Sequence, residues 1–191
     1  MSAIHGFGSM AHCIGLAAAY LRLVRRHSTF LSKATNMTFS EQPEESVMIL
    51  AVADIAGFVR AAKLKTSLQT FELLAEFYDL VGVIIEAAGG RVIKFIGDAS
   101  LIVFPSDIPE QAVTALRTLQ ARADGLLARF GPDCRISVRL HVGKAASGFL
   151  GMETDKRFDI IGQPVNELFL MPEAEFTISR ELQQLLDRHV A

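Results

Sequence analysis

The sequence has little of what several protein classes require. It contains only two cysteines, Cys13 and Cys134, which lie far apart, so it has no disulfide framework and is typical of a reducing compartment. Its 19 basic and 21 acidic residues leave a formal net charge of −2, so there is no overall basic field to attract nucleic acid. No apolar run approaches the roughly 18 residues that a membrane span needs. These absences predict an intracellular, cytoplasmic protein without a nucleic-acid partner.

The sequence does contain enough apolar material for a core. Half of its 191 residues are hydrophobic, 13 of them are Phe, and only 21% are charged. This composition is typical of a globular chain and excludes a disordered or collagen-like one. With about 150 residues per domain as a guide, the length predicts one domain with an appendage and excludes two large domains.

The charge distribution predicts a boundary near residue 41. Residues 1–40 contain four basic residues and no Asp or Glu. The apolar stretch 13–24 within them favours a helix, but Arg22 interrupts it and the flanks of a signal peptide are missing. Three interpretations stay open: a surface or linker helix, which we prefer; a basic amphipathic helix that contacts a membrane or partner; or translation from Met37, with residues 1–36 outside the native protein. We treat 1–40 as a separate segment and 44–191 as the domain.

From Val47 onward, hydrophobic periodicity predicts strands and helices in a defined order. The run 47–54 is continuously apolar, which is typical of a central strand, and 67–88 is a long helix with more apolar surface than one sheet face can cover. The remaining predicted strands are 91–96, 99–104, 136–142, 158–161 and 175–178, and the remaining predicted helices are 109–130, 163–171 and one that follows the N-cap Ser179. This order predicts an α+β fold, a ferredoxin-like βαββαβ sheet with helices on one face and an elaborated C-terminus.

Two aspartates lie where this fold would bring them together. Asp54 ends the central strand, and Asp98 lies at the tip of a Gly97-Asp98 hairpin whose strands should pair beside it. Hard carboxylate ligands so placed suit Mg²⁺ or Mn²⁺, and such a site could hold two ions about 3.5–4 Å apart. The loop Ile55-Ala56-Gly57-Phe58 offers backbone N–H groups for a polyphosphate beside them. A capping or turn aspartate is the simpler explanation of either residue alone, so the prediction depends on their joint placement.

Four segments together resemble a known family. They are 53–58 (ADIAGF), 89–99 (GGRVIKFIGDA), 139–143 (RLHVG) and 158–166 (FDIIGQPVN). In order and spacing, over roughly residues 47–179, they resemble the class III adenylate and guanylate cyclase catalytic domain. Several motifs in the right order are far more specific than any one of them. The resemblance therefore implies a class III cyclase fold.

The resemblance implies a role for each matching residue. Asp54 and Asp98 match the family's two metal-binding aspartates, and the backbone from Ile55 to Phe58 matches its triphosphate loop. Lys94 and Asp159 match the pair that reads the purine. A lysine with an aspartate selects adenine, because the carboxylate accepts from the exocyclic amine and would be unpaired against the carbonyl of guanine.

The resemblance also implies a reaction and an assembly. Asn166 matches the residue that orients the ribose. The substrate would be ATP, converted with two Mg²⁺ or Mn²⁺ ions into cyclic AMP and pyrophosphate. The site would form in an antiparallel homodimer, or in a heterodimer with another cyclase domain, with the metal residues from one subunit and the purine and ribose residues from the other.

The sequence departs from the family at its C-terminal part. The family has an arginine four residues after the ribose asparagine, where it stabilises charge on the transferring phosphate, but this chain has Leu170, closely followed by Pro172. A lysine that many relatives place on a terminal hairpin has no match before Ala191. Loss of such a positive group costs about 10²–10³ in rate for an oxyanion-type donor and up to about 10³–10⁵ for an arginine finger.

Two functions therefore stay open at this point. The first, which we prefer, is a weak or partner-dependent adenylate cyclase. The second is a catalytically inactive regulatory module that binds nucleotide. Arg157 and Arg180 lie near enough in sequence to replace the missing cation, but we interpret them as solvated surface residues. We interpret His141 as a structural histidine.

Overall fold

The structure is a computed structural model that describes residues 42–190, so the predicted N-terminal segment lies outside the described residues. Six strands form one sheet: β1 (Glu44–Ala56), β2 (Arg91–Ile96), β3 (Ala99–Pro105), β4 (Arg135–Met152), β5 (Asp155–Ile161) and β6 (Phe176–Ile178). The helices are α1 (Phe58–Ala62), α2 (Ser67–Ala87), α3 (Pro109–Leu127), α4 (Gln163–Leu170) and α5 (Arg180–Val190). None of the helices within 42–190 combines the length and the apolar character that crossing a bilayer requires.

The sheet has β1 at its centre. Its strands follow the order β2-β3-β1-β4-β5 with antiparallel pairing, and β6 pairs with β4 in parallel. Residues 48–53 of β1 are completely buried, because apolar side chains cover both faces of the strand. The predicted α+β class and the central position of the first strand are confirmed.

Alternate residues of β1 point to the two faces of the sheet. Ile49, Ala51 and Ala53 belong to a core built with the long helices α2 and α3 and with Leu182 of α5. Met48, Leu50 and Val52 belong to a second, smaller core that includes Leu168 of α4. The long helices thus lie on one face, as predicted, and the short helix α4 lies against the other.

The helix ends follow from local sequence. Thr66 forms a capping box with Gln69 at the start of α2. After α2, Gly89 has a φ of 79°, which lets the N–H of Gly90 return to the carbonyl oxygen of Ile85 at 3.0 Å. The Ser179 hydroxyl accepts a hydrogen bond from the N–H of Leu182 and caps α5, as predicted.

Two elements differ from the sequence-based expectation. The fourth strand was expected to end at Val142 because glycines follow, but β4 continues to Met152 and pairs with β1 and then β5. Gly143 lies inside it because a Cβ there would come within 2.4 Å of Pro164 Cγ, so the glycine admits α4 to the sheet. In addition, the segment 55–58, which the sequence predicts as a loop, is mostly regular structure: Ile55 and Ala56 are the last residues of β1 and α1 begins at Phe58, so only Gly57 makes the turn. We keep the name loop 55–58 for this segment.

Candidate functional site

A cleft of about 930 Å³ opens beside the end of β1. It is lined by both predicted metal aspartates, Asp54 and Asp98, and by all four residues of the predicted phosphate loop, Ile55, Ala56, Gly57 and Phe58. Gly57 makes the turn from β1 into α1 with a φ of 81°, and a Cβ there would lie 3.2 Å from the carbonyl oxygen of Asp133. The end of β1, the turn at Gly57 and the start of α1 thus all line the same cleft.

The two aspartates converge because their strands are neighbours. Ala53 and Ser100 are opposite each other in the β1 and β3 pairing, and the Ser100 hydroxyl donates a buried hydrogen bond of 3.2 Å to the carbonyl oxygen of Ala53. The Asp98 carboxylate accepts a hydrogen bond from the backbone N–H of Ile55, the residue after Asp54. The hairpin tip is therefore fixed directly against the end of the central strand.

A tyrosine supports the same hairpin from α2. The Tyr78 hydroxyl donates a hydrogen bond to the carbonyl oxygen of Gly97. Its ring stacks on Phe95 of β2 with 3.8 Å between ring centroids. Burial and the nearby Asp98 carboxylate both raise the pKa of Tyr78, so this side chain stays a protonated donor at neutral pH. Gly97 has a φ of 63°, which the tight turn before Asp98 requires.

The cleft is electrostatically suited to a cation. Burial raises the pKa of Asp54, and the carboxylates of Glu173 and Asp98 raise it further against the opposing effect of Arg139. Burial also raises the pKa of Asp98, although its backbone hydrogen bonds oppose this. The carboxylates of Glu173 and Asp98 thus act on Asp54 as neighbouring negative charges, which a bound cation would offset.

The two carboxylates, Asp54 and Asp98, fit a divalent ion that is also bound by the phosphates of a nucleotide. Within the described part of the chain, no group of three or more His, Cys, Asp or Glu side chains could hold a metal ion. Asp54 and Asp98 therefore offer two carboxylates in one cleft, which is fewer ligands than a complete cage needs. Mg²⁺ is commonly bound in this way, by one or two carboxylates together with substrate phosphates and water.

Basic residues that sequence reasoning missed line the same cleft. They are Arg60 of α1, Lys63 just after it, and Arg135 at the start of β4. Arg60 lies 3.8 Å from Asp133 in a highly exposed pair, which holds it only weakly. The three-residue spacing between 60 and 63 would have placed both on one face of a helix, but α1 was not predicted. These cations can neutralise a polyphosphate.

A buried arginine is also bonded to Asp54. Arg139 of β4 is opposite Val52, and Asp54 is opposite Ser137, so both side chains lie on the α4 face of the sheet. Arg139 Nη2 donates to Asp54 Oδ2 at 2.7 Å, with side-chain exposures of 7% and 21%. Arg139 Nη1 lies 3.5 Å from the carbonyl oxygens of Phe169 and Met171 at the end of α4. Arg139 belonged to a recognised motif, but no sequence signal paired it with Asp54.

The predicted purine readers meet elsewhere on the molecule. Lys94 Nζ lies 2.7 Å from Asp159 Oδ2, and the side chains are 41% and 24% exposed. Their strands, β2 and β5, are at opposite ends of the strand order but contact each other, so the sheet curls over its α4 face. Lys94 and Asp159 are not among the described residues that line the acidic cleft, and neither is the exposed Asn166 of α4.

The predicted site residues therefore form two groups in one chain. The acidic cleft contains Asp54, Asp98 and the loop 55–58, and the second group, which we call the purine group, contains Lys94, Asp159 and Asn166. Leu170, at the arginine position, is the last residue of α4 and is 81% exposed.

Two other residues considered from sequence, Arg157 and His141, have local partners. Arg157 is exposed and bonded to Asp155 at 3.0 Å. His141 is buried, with Nδ1 2.9 Å from the Ser179 hydroxyl and Nε2 3.1 Å from Glu167 Oε2. These contacts agree with a surface role for Arg157 and a structural role for His141.

Comparison with known proteins places this architecture in a family. Residues 39–173 match the family model of the adenylate and guanylate cyclase catalytic domain. An uncharacterized protein of Mycobacterium tuberculosis is 30% identical over 126 residues, which cover 65% of this chain. That match is 22% of the relative's length, so the chain spans about a fifth of the curated relatives it resembles.

Solved structures share the fold. The adenylyl cyclase CyaB from Pseudomonas aeruginosa superposes with a TM-score of 0.70 at 20% identity, covering 77% of this chain and 83% of that one. A class III adenylyl cyclase-like ATP-binding protein from the same organism has a TM-score of 0.63 at 17% identity, covering 84% of this chain and 42% of that one. Since the family model covers more than half of the chain, this protein belongs to the class III adenylate and guanylate cyclase family.

Proposed function

We propose that the chain is an adenylate cyclase domain that converts ATP into cyclic AMP and pyrophosphate, with weak activity unless a partner completes its site. The observation that carries the proposal is the convergence of Asp54 and Asp98 in one cleft with the loop 55–58. Asp54 and Asp98 would hold Mg²⁺ or Mn²⁺, which supplies charge neutralisation at the phosphates and lowers the pKa of the ribose 3′ hydroxyl.

The chain's own groups account for the rest of phosphate binding. The backbone at the turn from β1 into α1 and the cations Arg60, Lys63 and Arg135 line the cleft and would hold the triphosphate. With the α-phosphate so fixed, the 3′ oxygen would attack it in line as the bond to pyrophosphate breaks. The basic residues would bind the departing pyrophosphate as well as the substrate.

The purine group supports ATP rather than GTP. Lys94 and Asp159 are partly exposed and already within hydrogen-bond distance of each other, so an incoming base can exchange their mutual bond for bonds to its own edge. Asp159 Oδ1 accepts from the N–H of Ile160 at 2.8 Å, which fixes the carboxylate plane. An ionised carboxylate accepts from the amine of adenine and repels the carbonyl of guanine.

A second cyclase domain would bring the two groups together. Because the acidic cleft and the purine group are separate within one chain, we propose an antiparallel homodimer or a heterodimer in which each site combines one group from each subunit. Apolar side chains at the distal end of β4 support such an interface: Phe149, Leu150 and Met152 are 45%, 47% and 71% exposed.

Leu170 favours a second candidate function. It places an exposed apolar side chain where the resemblance calls for an arginine, so the chain could bind ATP without turning it over. The structurally similar protein described as cyclase-like and ATP-binding is compatible with such a module.

One assay separates the two candidates. The purified full chain is incubated with Mn²⁺ and either ATP or GTP, and the cyclic product is identified by mass spectrometry. We expect cyclic AMP in excess of cyclic GMP, and loss of the product in Asp98→Asn. ATP binding without product above that control would support the inactive module, and absence of both binding and product would contradict both candidates.

Base selection is tested by a neighbouring pair of variants. Asp159→Asn replaces an acceptor with an amide that can also donate to a carbonyl, so we expect the ratio of ATP to GTP binding to fall by about tenfold. Asp155→Asn, on the same strand and bonded to Arg157, is the matched control and should leave the ratio unchanged. Equal ratios in wild type and Asp159→Asn would contradict the assignment of Asp159 as a base reader.

A further inference from the structure

A buried cation lies behind the wall of the acidic cleft and reaches the cleft through Asp54. The guanidinium of Arg139 is bonded to Asp54 Oδ2 at 2.7 Å, and the arginine side chain is only 7% exposed. Among the other residues considered for the site, Arg60 and Arg157 are largely exposed, with side-chain exposures of 81% and 82%. Arg139 is thus fixed inside the protein against one of the two carboxylates assigned to metal binding.

The bonding of Arg139 is incomplete. Its Nε is buried without a hydrogen-bond partner, and its Nη1 has only two long contacts of 3.5 Å to the carbonyl oxygens of Phe169 and Met171. Asp54 is its one short partner in the described structure. Because a guanidinium has five N–H donors and is charged at every relevant pH, Arg139 is a fixed positive charge whose hydrogen bonding is only partly satisfied.

The same contact restricts what Asp54 can bind. A divalent ion at Asp54 would have to displace the guanidinium from Oδ2 or bind Oδ1 beside it. Either arrangement places two positive charges next to each other at a largely buried carboxylate, which is unfavourable. Among the described residues, no ion pair is seen for Asp98, and its backbone hydrogen bonds leave lone pairs for a metal ion.

We propose that Arg139 takes the place of one of the two divalent ions, so that the acidic cleft of this chain binds a single divalent ion together with the nucleotide. Asp98 is the principal ligand of that ion, and the guanidinium supplies positive charge at Asp54. Arginine suits this role because it stays charged at every relevant pH and its planar fork matches a carboxylate. This inference rests on the proposed nucleotide and metal site.

Metal stoichiometry tests the inference without turnover. The full chain is titrated with Mn²⁺ in the presence of an ATP analogue with a methylene group between its α and β phosphorus atoms, which cannot release pyrophosphate. Free Mn²⁺ is measured by electron paramagnetic resonance. We expect one ion bound per chain in wild type and two in Arg139→Met, which keeps the length of the side chain but removes its charge. Arg139→Lys, which retains a cation, should remain at one.

Controls separate failure of this inference from failure of the proposed function. Arg157→Met removes an exposed arginine outside the cleft and should bind one ion, and Asp98→Asn should lose it. Two ions in wild type, or one ion in folded Arg139→Met, would overturn the role of Arg139 and leave the proposed function intact. No nucleotide-dependent ion in wild type would overturn the metal site itself. If Arg139→Met does not fold by circular dichroism, the wild-type count of one or two still decides.

Discussion

The acidic cleft and the purine group differ in how the fold holds them. Asp54 directly follows the fully buried part of the central strand, residues 48–53, and its bond to Arg139 is mostly shielded from solvent. Lys94 and Asp159 lie on the end strands of the sheet order and are 41% and 24% exposed, and Asn166 is exposed on a short helix. The cleft is therefore built within one chain, whereas the purine group lies at a surface that a second chain can cover.

This difference in burial predicts that the two ion pairs contribute differently to the stability of the fold. Removing one partner of a buried ion pair leaves an uncompensated charge and is strongly destabilising. A partly exposed pair contributes little to stability, because water replaces each partner at small cost. Lys94 and Asp159 thus have little structural reason to be paired, which favours a role in recognition, whereas the pair of Asp54 and Arg139 has a structural role whatever it binds.

The largest expected effect comes from supplying a cation beside the purine group. Leu170→Arg adds the missing positive charge at an exposed position, where it costs no burial. We expect cyclic AMP formation to increase by up to about 10²–10³, the range for one donor that stabilises transition-state charge. The measurement is the initial rate with Mn²⁺ and ATP at matched dimer content. Phe169→Arg, one residue earlier, is the positional control, and an equal effect of both would contradict the assignment of residue 170.

The two ion pairs should differ most clearly in unfolding experiments. Asp54→Ala leaves the buried guanidinium without its short partner, so we expect the free energy of unfolding to fall by about 2–4 kcal/mol. Lys94→Ala removes a partly exposed partner and should cost about 0–1 kcal/mol. Urea denaturation followed by circular dichroism measures both. Similar losses in the two variants would show that the proposed contrast in burial has no energetic consequence.

The acidic cleft could be anticipated from sequence because its determinants are local. The apolar run 47–54 has the signature of a central strand, and Gly97-Asp98 between two short apolar runs has that of a hairpin. In a ferredoxin-like order these two elements are neighbours, which brings Asp54 and Asp98 together before any coordinates are known. The structure has this arrangement, with the Asp98 carboxylate bonded to the N–H of Ile55.

What could not be anticipated depends on tertiary contacts. Because side chains alternate along a strand, the sequence predicts that Arg139 points to the opposite face from Val138 and Leu140. Only the pairing of β1 with β4 places its side chain beside Asp54. The glycines of β4 predicted a strand end, whereas the approach of Pro164 makes Gly143 a packing position. The cations Arg60 and Lys63 were missed because α1 has only five residues, too few for a periodic signal.

A smaller effect is expected from the side chain that supports the hairpin. Tyr78→Phe keeps the stacking on Phe95 but removes the hydrogen bond to the carbonyl oxygen of Gly97, the residue before Asp98. We expect about 1 kcal/mol lower stability and roughly tenfold weaker Mn²⁺ binding, because the ligand is positioned less firmly. Equilibrium Mn²⁺ titration with the ATP analogue measures the affinity. A loss of stability with unchanged affinity would assign Tyr78 a purely structural role.

The smallest effect, and the one whose sign is most informative, concerns Asp98 itself. Burial raises the pKa of this carboxyl above 3.8, so ionisation is harder in the folded than in the unfolded state. Stability should therefore decrease as pH rises from the unfolded pKa, about 3.9, through the folded pKa, and then level off. Asp98→Asn cannot ionise, so without metal at pH 7 it should be slightly more stable than wild type. Below pH 3 this advantage should disappear.

Mn²⁺ with the ATP analogue should reverse this order, because only wild type gains stability from binding, by RT ln(1 + [L]/Kd). Asp107→Asn, an exposed aspartate after β3, is the control and should follow wild type in both conditions. The measurement is thermal or urea unfolding across pH, with and without the ligands. A variant that is less stable than wild type at pH 7 without metal would mean that the backbone bond from Ile55 outweighs the cost of burial. The Asp98 carboxylate would then stabilise the folded chain even without metal, in contrast to a carboxylate that destabilises the fold until a cation binds.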